Sequence, residues 1–162
     1  MRRASIGVIL VIGLAFVRTG ASQVQNSAPP EQLEQLARAE SRWLANKPDV
    51  YEFRFEYACN GLIPPQPNPP LPGAQPWMFQ VKSGQSTLVA DVTATVRAKM
   101  EQYETVEKQF AFIRTAWKGR PHAVSVTYDQ RLGYPTRVCV DPTLAADDEF
   151  GFVITDFRAT FK

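Results

Sequence analysis

Four carboxylates crowd the stretch between two strand-like runs near the C-terminus: Asp141, Asp147, Asp148 and Glu149. Oxygen donors bunched in one loop are what calcium takes, because it wants roughly six to eight of them. The spacing is not that of an EF-hand loop, and the same acids serve as caps in a solvated turn between strands. Carboxylates also carry acid–base hydrolysis, so an enzyme built on this chain would work near Asp129 or Asp141. Successive antiparallel turns alternate ends of a sheet, which argues against Asp129 joining the other four. His122 is the single histidine, beside Pro121 in a helix-to-strand connection. With no serine, cysteine or carboxylate at an arguable distance it makes no catalytic set. No glycine-rich phosphate loop is present. No catalytic residue and no cofactor is expected.

Two cysteines, Cys59 and Cys139, fall on strand-like runs without a metal-ligand partner at useful spacing. The chain has no Cys-x-x-Cys spacing of the redox-active kind. A disulfide between them closes a loop of about 80 residues, worth roughly 4–5 kcal/mol by chain entropy. Two buried thiols or an intermolecular bridge are the alternatives.

The compartment bears on that choice. Arg2 and Arg3 precede an apolar run from Ile6 to Val17, followed by small residues at Thr19, Gly20, Ala21 and Ser22. This is the order of a secretory signal peptide, cut after Ala21 or Ser22. An uncleaved anchor competes, but about a dozen apolar residues fall short of the roughly 20 that a span needs. The expectation is a signal peptide over 1–22, a flexible arm over 23–30 and one domain over 31–162, secreted or periplasmic. The leader holds Arg2, Arg3 and Arg18 and no acid, so the formal charge of +2 becomes −1 after cleavage. That removes the basic face a nucleic-acid partner needs. No transmembrane anchor is expected after cleavage. The partner is unknown, with an envelope protein as one expectation.

The elements follow from periodicity. Leu33, Leu36, Ala37, Glu40, Trp43 and Leu44 fall at helical spacing, with Pro30 in a first turn and Pro48 beyond the end. In DVYEFRFEYACN, residues 49–60, Tyr51, Phe53, Phe55, Tyr57 and Cys59 alternate with Glu52, Arg54 and Glu56, the pattern of a half-buried strand. Residues 62–76, LIPPQPNPPLPGAQP, hold seven of the 13 prolines and read as a stiff loop. A hairpin over 77–92 turns at Ser83 and Gly84. Residues 93–104 read as helix or irregular chain. Val106, Phe110, Ile113 and Trp117 form a helical stripe behind a Thr105 cap. A meander closes the chain, with strands starting near 123, 136 and 150. In the last, Phe150, Phe152 and Ile154 share one parity and Val153, Thr155 and Phe157 the other. Such a strand is covered on both faces or central in its sheet. The whole predicts an α+β domain, with about six mainly antiparallel strands against two helices.

The run VSVTYDQRLGYPTRVCVDPTLAADDEFGFVITDF carries a recognisable order: Tyr128, Asp129, Gly133, Tyr134 and Pro135, then the acids. With RWLANKPDVYEFRFEYAC and a Val-x-x-Gly hairpin ahead of it, it resembles an exported bacterial family, domain of unknown function 6174. The likeness runs roughly from residue 33 to 158, and the proline-rich stretch after Cys59 departs from it. The resemblance implies a secreted or cell-envelope protein and transfers no catalytic residue. The leading expectation is a non-enzymatic binding or structural module. The alternatives are a hydrolase using the acids of the meander loops, or a calcium-stabilised domain.

Overall fold

A computed structural model describes residues 28–59, 77–89, 93–145 and 148–161. The leader, the proline-rich stretch and Asp147 lie outside them. Helix α1 spans Pro30–Asn46, and strand β1 follows over Val50–Ala58. Strands β2 (Trp77–Lys82) and β3 (Gln85–Leu88) form the expected hairpin, with positive φ at Ser83 and Gly84. Helix α2 covers Ala94–Met100, a 3-10 turn covers Glu101–Tyr103 and helix α3 covers Val106–Lys118. The meander is β4 (Ala123–Tyr128), β5 (Pro135–Asp141) and β6 (Phe150–Thr160).

The six strands form one antiparallel sheet in the order β3-β2-β1-β6-β5-β4. The two strands at its centre, β1 and β6, come from opposite ends of the domain. The inward face carries Tyr51, Phe53, Phe55, Phe79, Val81, Val138, Val140, Phe152 and Ile154, all buried with residues of the three helices. The outward parity is polar, and Arg54–Asp156 and Arg158–Glu52 ion pairs cross it at 3.2 and 3.4 Å.

Three findings differ from the sequence expectation. The described residues hold three helices, not two. Thr93 caps the extra one, its hydroxyl accepting from the Val96 N–H at 3.4 Å, so the 93–104 stretch resolves into α2 and the 3-10 turn. The buried line of α1 is Leu36, Ala39 and Trp43, while Leu33 and Leu44 are 46% and 65% exposed. The narrow line fits a close approach at Gly133, where a β-carbon would collide with the Ala39 carbonyl oxygen. The double parity of β6 comes from a bulge. Arg54 pairs with Thr155 and Glu52 with Arg158, so Asp156 and Phe157 both stand opposite Phe53. Asp156 has φ 49°, and the extra residue flips the side-chain parity. Phe157 thereby joins Phe152 and Ile154 on the inner face, with its ring 5.5 Å from Tyr51 and 4.1 Å from Tyr134. The strand is central, as one of the two readings had it, but covered by helices on one side.

Cys59 and Cys139 form a disulfide. Cys59 directly follows β1 and Cys139 sits on β5; β6 separates the two strands, and strands two apart lie about 9.5 Å from each other. Cys59 turns back with φ 75°, bringing its Cα to 5.6 Å from that of Cys139. The strand between is crossed at Gly151, which pairs with both Ala58 and Cys139. A β-carbon at Gly151 would strike the Val138 carbonyl oxygen.

Candidate functional site

Helix α3 has two stripes. Val106, Gln109, Phe110, Ile113 and Trp117 face the core. Beside them Lys108, Ala111, Phe112, Thr115, Ala116 and Gly119 recur at spacings of three, one, three, one and three, which is a second line along the same helix. That line is small and mostly apolar, so it leaves room. The opposite wall comes from Ala98, Glu101 and Gln102 on one side, and from Pro121, Val140, Pro142 and Phe150 on the other. Together they enclose an open groove of about 800 Å³. Ligand sites in proteins run from roughly 300 to 1,000 Å³ and are mainly apolar with a few polar groups.

Aromatic packing shapes the floor. Phe112 meets Phe150 edge-on at 6.1 Å, and Phe152 lies 5.9 Å behind it. Phe150 remains 41% exposed, which is unusual for a phenylalanine at a strand start. The charged groups of the lining answer one another. The Lys108 ammonium stands 2.6 Å from Glu104 and 3.9 Å from Glu101.

Asp141, Asp148 and Glu149 lie at the β5–β6 end of this groove. His122 Nδ1 stands 2.8 Å from Asp141 Oδ2, a pairing the sequence reading did not supply. Their chain neighbours Pro121, Val140 and Pro142 line the groove, so the pair lies at its rim. The His122 backbone N–H also donates to the Pro142 carbonyl at 3.3 Å. Asp148 accepts from the Thr143 hydroxyl at 2.6 Å. Asp141 Oδ1, Asp148 Oδ1 and Glu149 Oε2 are shielded from solvent without a hydrogen-bond partner. Among the described residues, no three histidine, cysteine, aspartate or glutamate side chains converge so as to hold a metal ion. Asp129 is not with them. It sits in the β4–β5 turn, at the other end of β5.

That turn is the Tyr128-to-Pro135 motif, and its chemistry is internal. Asp129 Oδ1 accepts from the Arg131 and Leu132 N–H groups at 3.0 and 2.6 Å. The Asp129 N–H donates to the Tyr134 carbonyl, and the Gly133 N–H to the Asp129 carbonyl. Gly133, at φ 89°, lets the turn dock against α1. Leu132 is buried, and the Tyr134 ring lies on Phe157. Burial, with the Asp129 charge, pushes the Tyr134 hydroxyl above its ordinary range. Burial does the same to Tyr128, with the Glu40 charge adding to it.

A second polar node lies under α1. Trp43 Nε1 donates to Glu107 Oε1 at 3.0 Å, and Lys47 Nζ reaches the same oxygen at 2.5 Å. The Tyr51 hydroxyl accepts from the Val106 N–H at 3.3 Å. Burial alone pushes the Glu107 carboxyl up, but the Lys47 and Trp43 hydrogen bonds outweigh it and hold the group below its ordinary value. Burial and the Glu107 charge push the Tyr51 hydroxyl well above the ordinary tyrosine range. None of these groups lines the groove.

Sequence reasoning missed the groove. Its signal was present in Ala111, Phe112, Thr115 and Ala116, one helix step from the core stripe. No helix among the described residues is long and apolar enough to cross a membrane. No curated protein and no solved structure matches the chain. One family model does, over residues 35–159, which is most of the chain, and its description is "family of unknown function". The disulfide, the docked turn and all of the sheet but its last residue fall within the matched span: the chain belongs to family DUF6174.

Proposed function

We propose that this is an exported, non-enzymatic binding module of the periplasm or cell envelope, and that the α3 groove takes an uncharged, apolar ligand. One observation carries the reading. A groove of about 800 Å³ among the described residues has an apolar floor, and its lining charges, Lys108 and Glu101, stand with Glu104 in one salt-bridged cluster. A ligand gains there by burying apolar area, at roughly 25 cal/mol per Å². The order of the leader and the disulfide support export.

The test is titration with N-phenyl-1-naphthylamine, a neutral fluorophore that brightens in apolar sites. The wild type should bind it saturably. Ala111→Trp, at an exposed position in the groove wall, should abolish binding without moving the melting temperature. Equal binding by the two proteins would overturn the assignment. Export is tested by fractionation and mass measurement, with loss of residues 1–21 or 1–22 as the expected result.

A second reading, hydrolysis at the acid end, draws on the His122–Asp141 pair at the groove rim. Turnover of p-nitrophenyl esters by the wild type, abolished in His122→Ala, would establish it. An inactive wild type removes it.

A further inference from the structure

The two edges of the sheet are finished differently. At one edge β3 is only four residues long, and its inward Leu88 is buried. At the other, β4 is six residues, AVSVTY, with no charge and no proline. Its inward residues Val124, Val126 and Tyr128 are not equally covered: Val124 is buried, and the other two are half-buried. Beside them lies a small hollow of about 150 Å³, lined by Gln32, Gln35, Trp117, Ser125, Val126 and Tyr128. Two polar groups of that lining, the Trp117 indole N–H and the Tyr128 hydroxyl, are buried without a hydrogen-bond partner. Buried polar groups normally have one. Among the described residues, no strand pairs with the outer side of β4. A long, uncharged edge without proline or lysine is what proteins usually avoid leaving open.

We propose that the β4 edge is an interface between two copies of this chain. The strand is complementary to itself when run antiparallel about a two-fold axis at Ser125. Val124 then stands opposite Val126 of the second copy on the inner face, and Ala123 opposite Thr127 on the outer one. Residues directly opposite in an antiparallel pair share a face, so this register keeps apolar against apolar. No like charges meet, the paired side chains from Ala123 to Thr127 are small, and Tyr128 falls opposite His122 of the second copy. The two sheets join into one of 12 strands, twice the six of each copy, with the helices of both on one side. The second copy covers Val126 and closes the hollow, bringing its own strand and side chains to the two unpartnered groups. This interface is separate from the α3 groove and does not rest on what the groove binds.

The experiment is sedimentation velocity on the oxidised protein from about 1 μM to 1 mM, with three proteins. The wild type should pass from monomer to dimer across that range. Ser125 is exposed, so Ser125→Lys and Ser125→Glu should keep the fold, checked by circular dichroism and melting temperature. Each alone sets two like charges across the axis and should weaken dimerisation at least 10-fold, a factor worth about 1.4 kcal/mol. Mixed one to one, they should dimerise at least as tightly as the wild type. A wild type that stays monomeric at 1 mM overturns the proposal. So does a Ser125→Lys protein that dimerises unchanged, or a mixture that fails to recover.

Discussion

The two ends of the meander make opposite use of conspicuous residues. The β4–β5 turn carries the most recognisable motif in the sequence, and the structure spends most of it internally. Asp129 holds the turn, Gly133 lets it touch α1, Leu132 is buried and Tyr134 stacks on Phe157. The β5–β6 end carries the acids, yet the surface beside them is the apolar groove, whose residues look unremarkable in sequence. A memorable motif can therefore mark a packing demand, while open space is marked by small residues that draw no attention.

The largest expected effect comes from the clamp near the open end. Replacing both Cys59 and Cys139 by serine should lower unfolding free energy by about 4–5 kcal/mol, read from urea midpoints. A loss under about 1 kcal/mol would mean that the bridge adds little to the pairing of β1, β6 and β5. Next comes the tight end. Gly133→Ala places a β-carbon against the α1 backbone at a positive φ, and should cost about 3 kcal/mol. If it melts like the wild type, the turn is not docked as described.

A smaller effect is expected at Glu107, which ties α1 to α3. Its pKa is depressed in the folded chain relative to the ordinary value of 4.5. The stability it contributes is thus fully present above that ordinary value and fades as pH falls through the lower folded value. Glu107→Gln should cost about 1 kcal/mol at neutral pH and flatten the acid limb of a stability-against-pH curve. An unchanged acid limb would dissociate Glu107 from acid sensitivity. The smallest effect separates the two ends most sharply. Asp148→Asn, in the acid-rich connection, should move stability by no more than about 0.5 kcal/mol. A loss like that of Gly133→Ala would make both connections structural and erase the contrast.

Much of the fold was legible in particular residues. The alternation from Tyr51 to Phe55, the Ser83-Gly84 turn and the Val106-to-Trp117 stripe each gave the observed element, because local periodicity and burial agree there. Phe157 was not legible. A bulge shifts parity by one residue, and no residue type before Asp156 announces it. Tyr57 reads as part of the inward row but is half exposed, because it stands at the end of β1, at the rim of the sheet. The His122–Asp141 pair joins residues 19 apart through the strand register of Ala123 with Asp141, which no short spacing reveals. The groove was hidden for a different reason. Its walls come from α2, α3 and two strand ends, so no single stretch contains its outline.

The bridge across Gly151 has an order-of-assembly consequence. The ring it closes holds residues 59 to 139, and β6 lies wholly outside that ring in sequence yet under its link in space. The last of the described strands is therefore the one the two half-cystines must reach across. A chain oxidised before β6 is in place would have to slide that strand into a slot already fastened at one end, so the timing of oxidation relative to the docking of β6 governs the yield of correctly joined molecules.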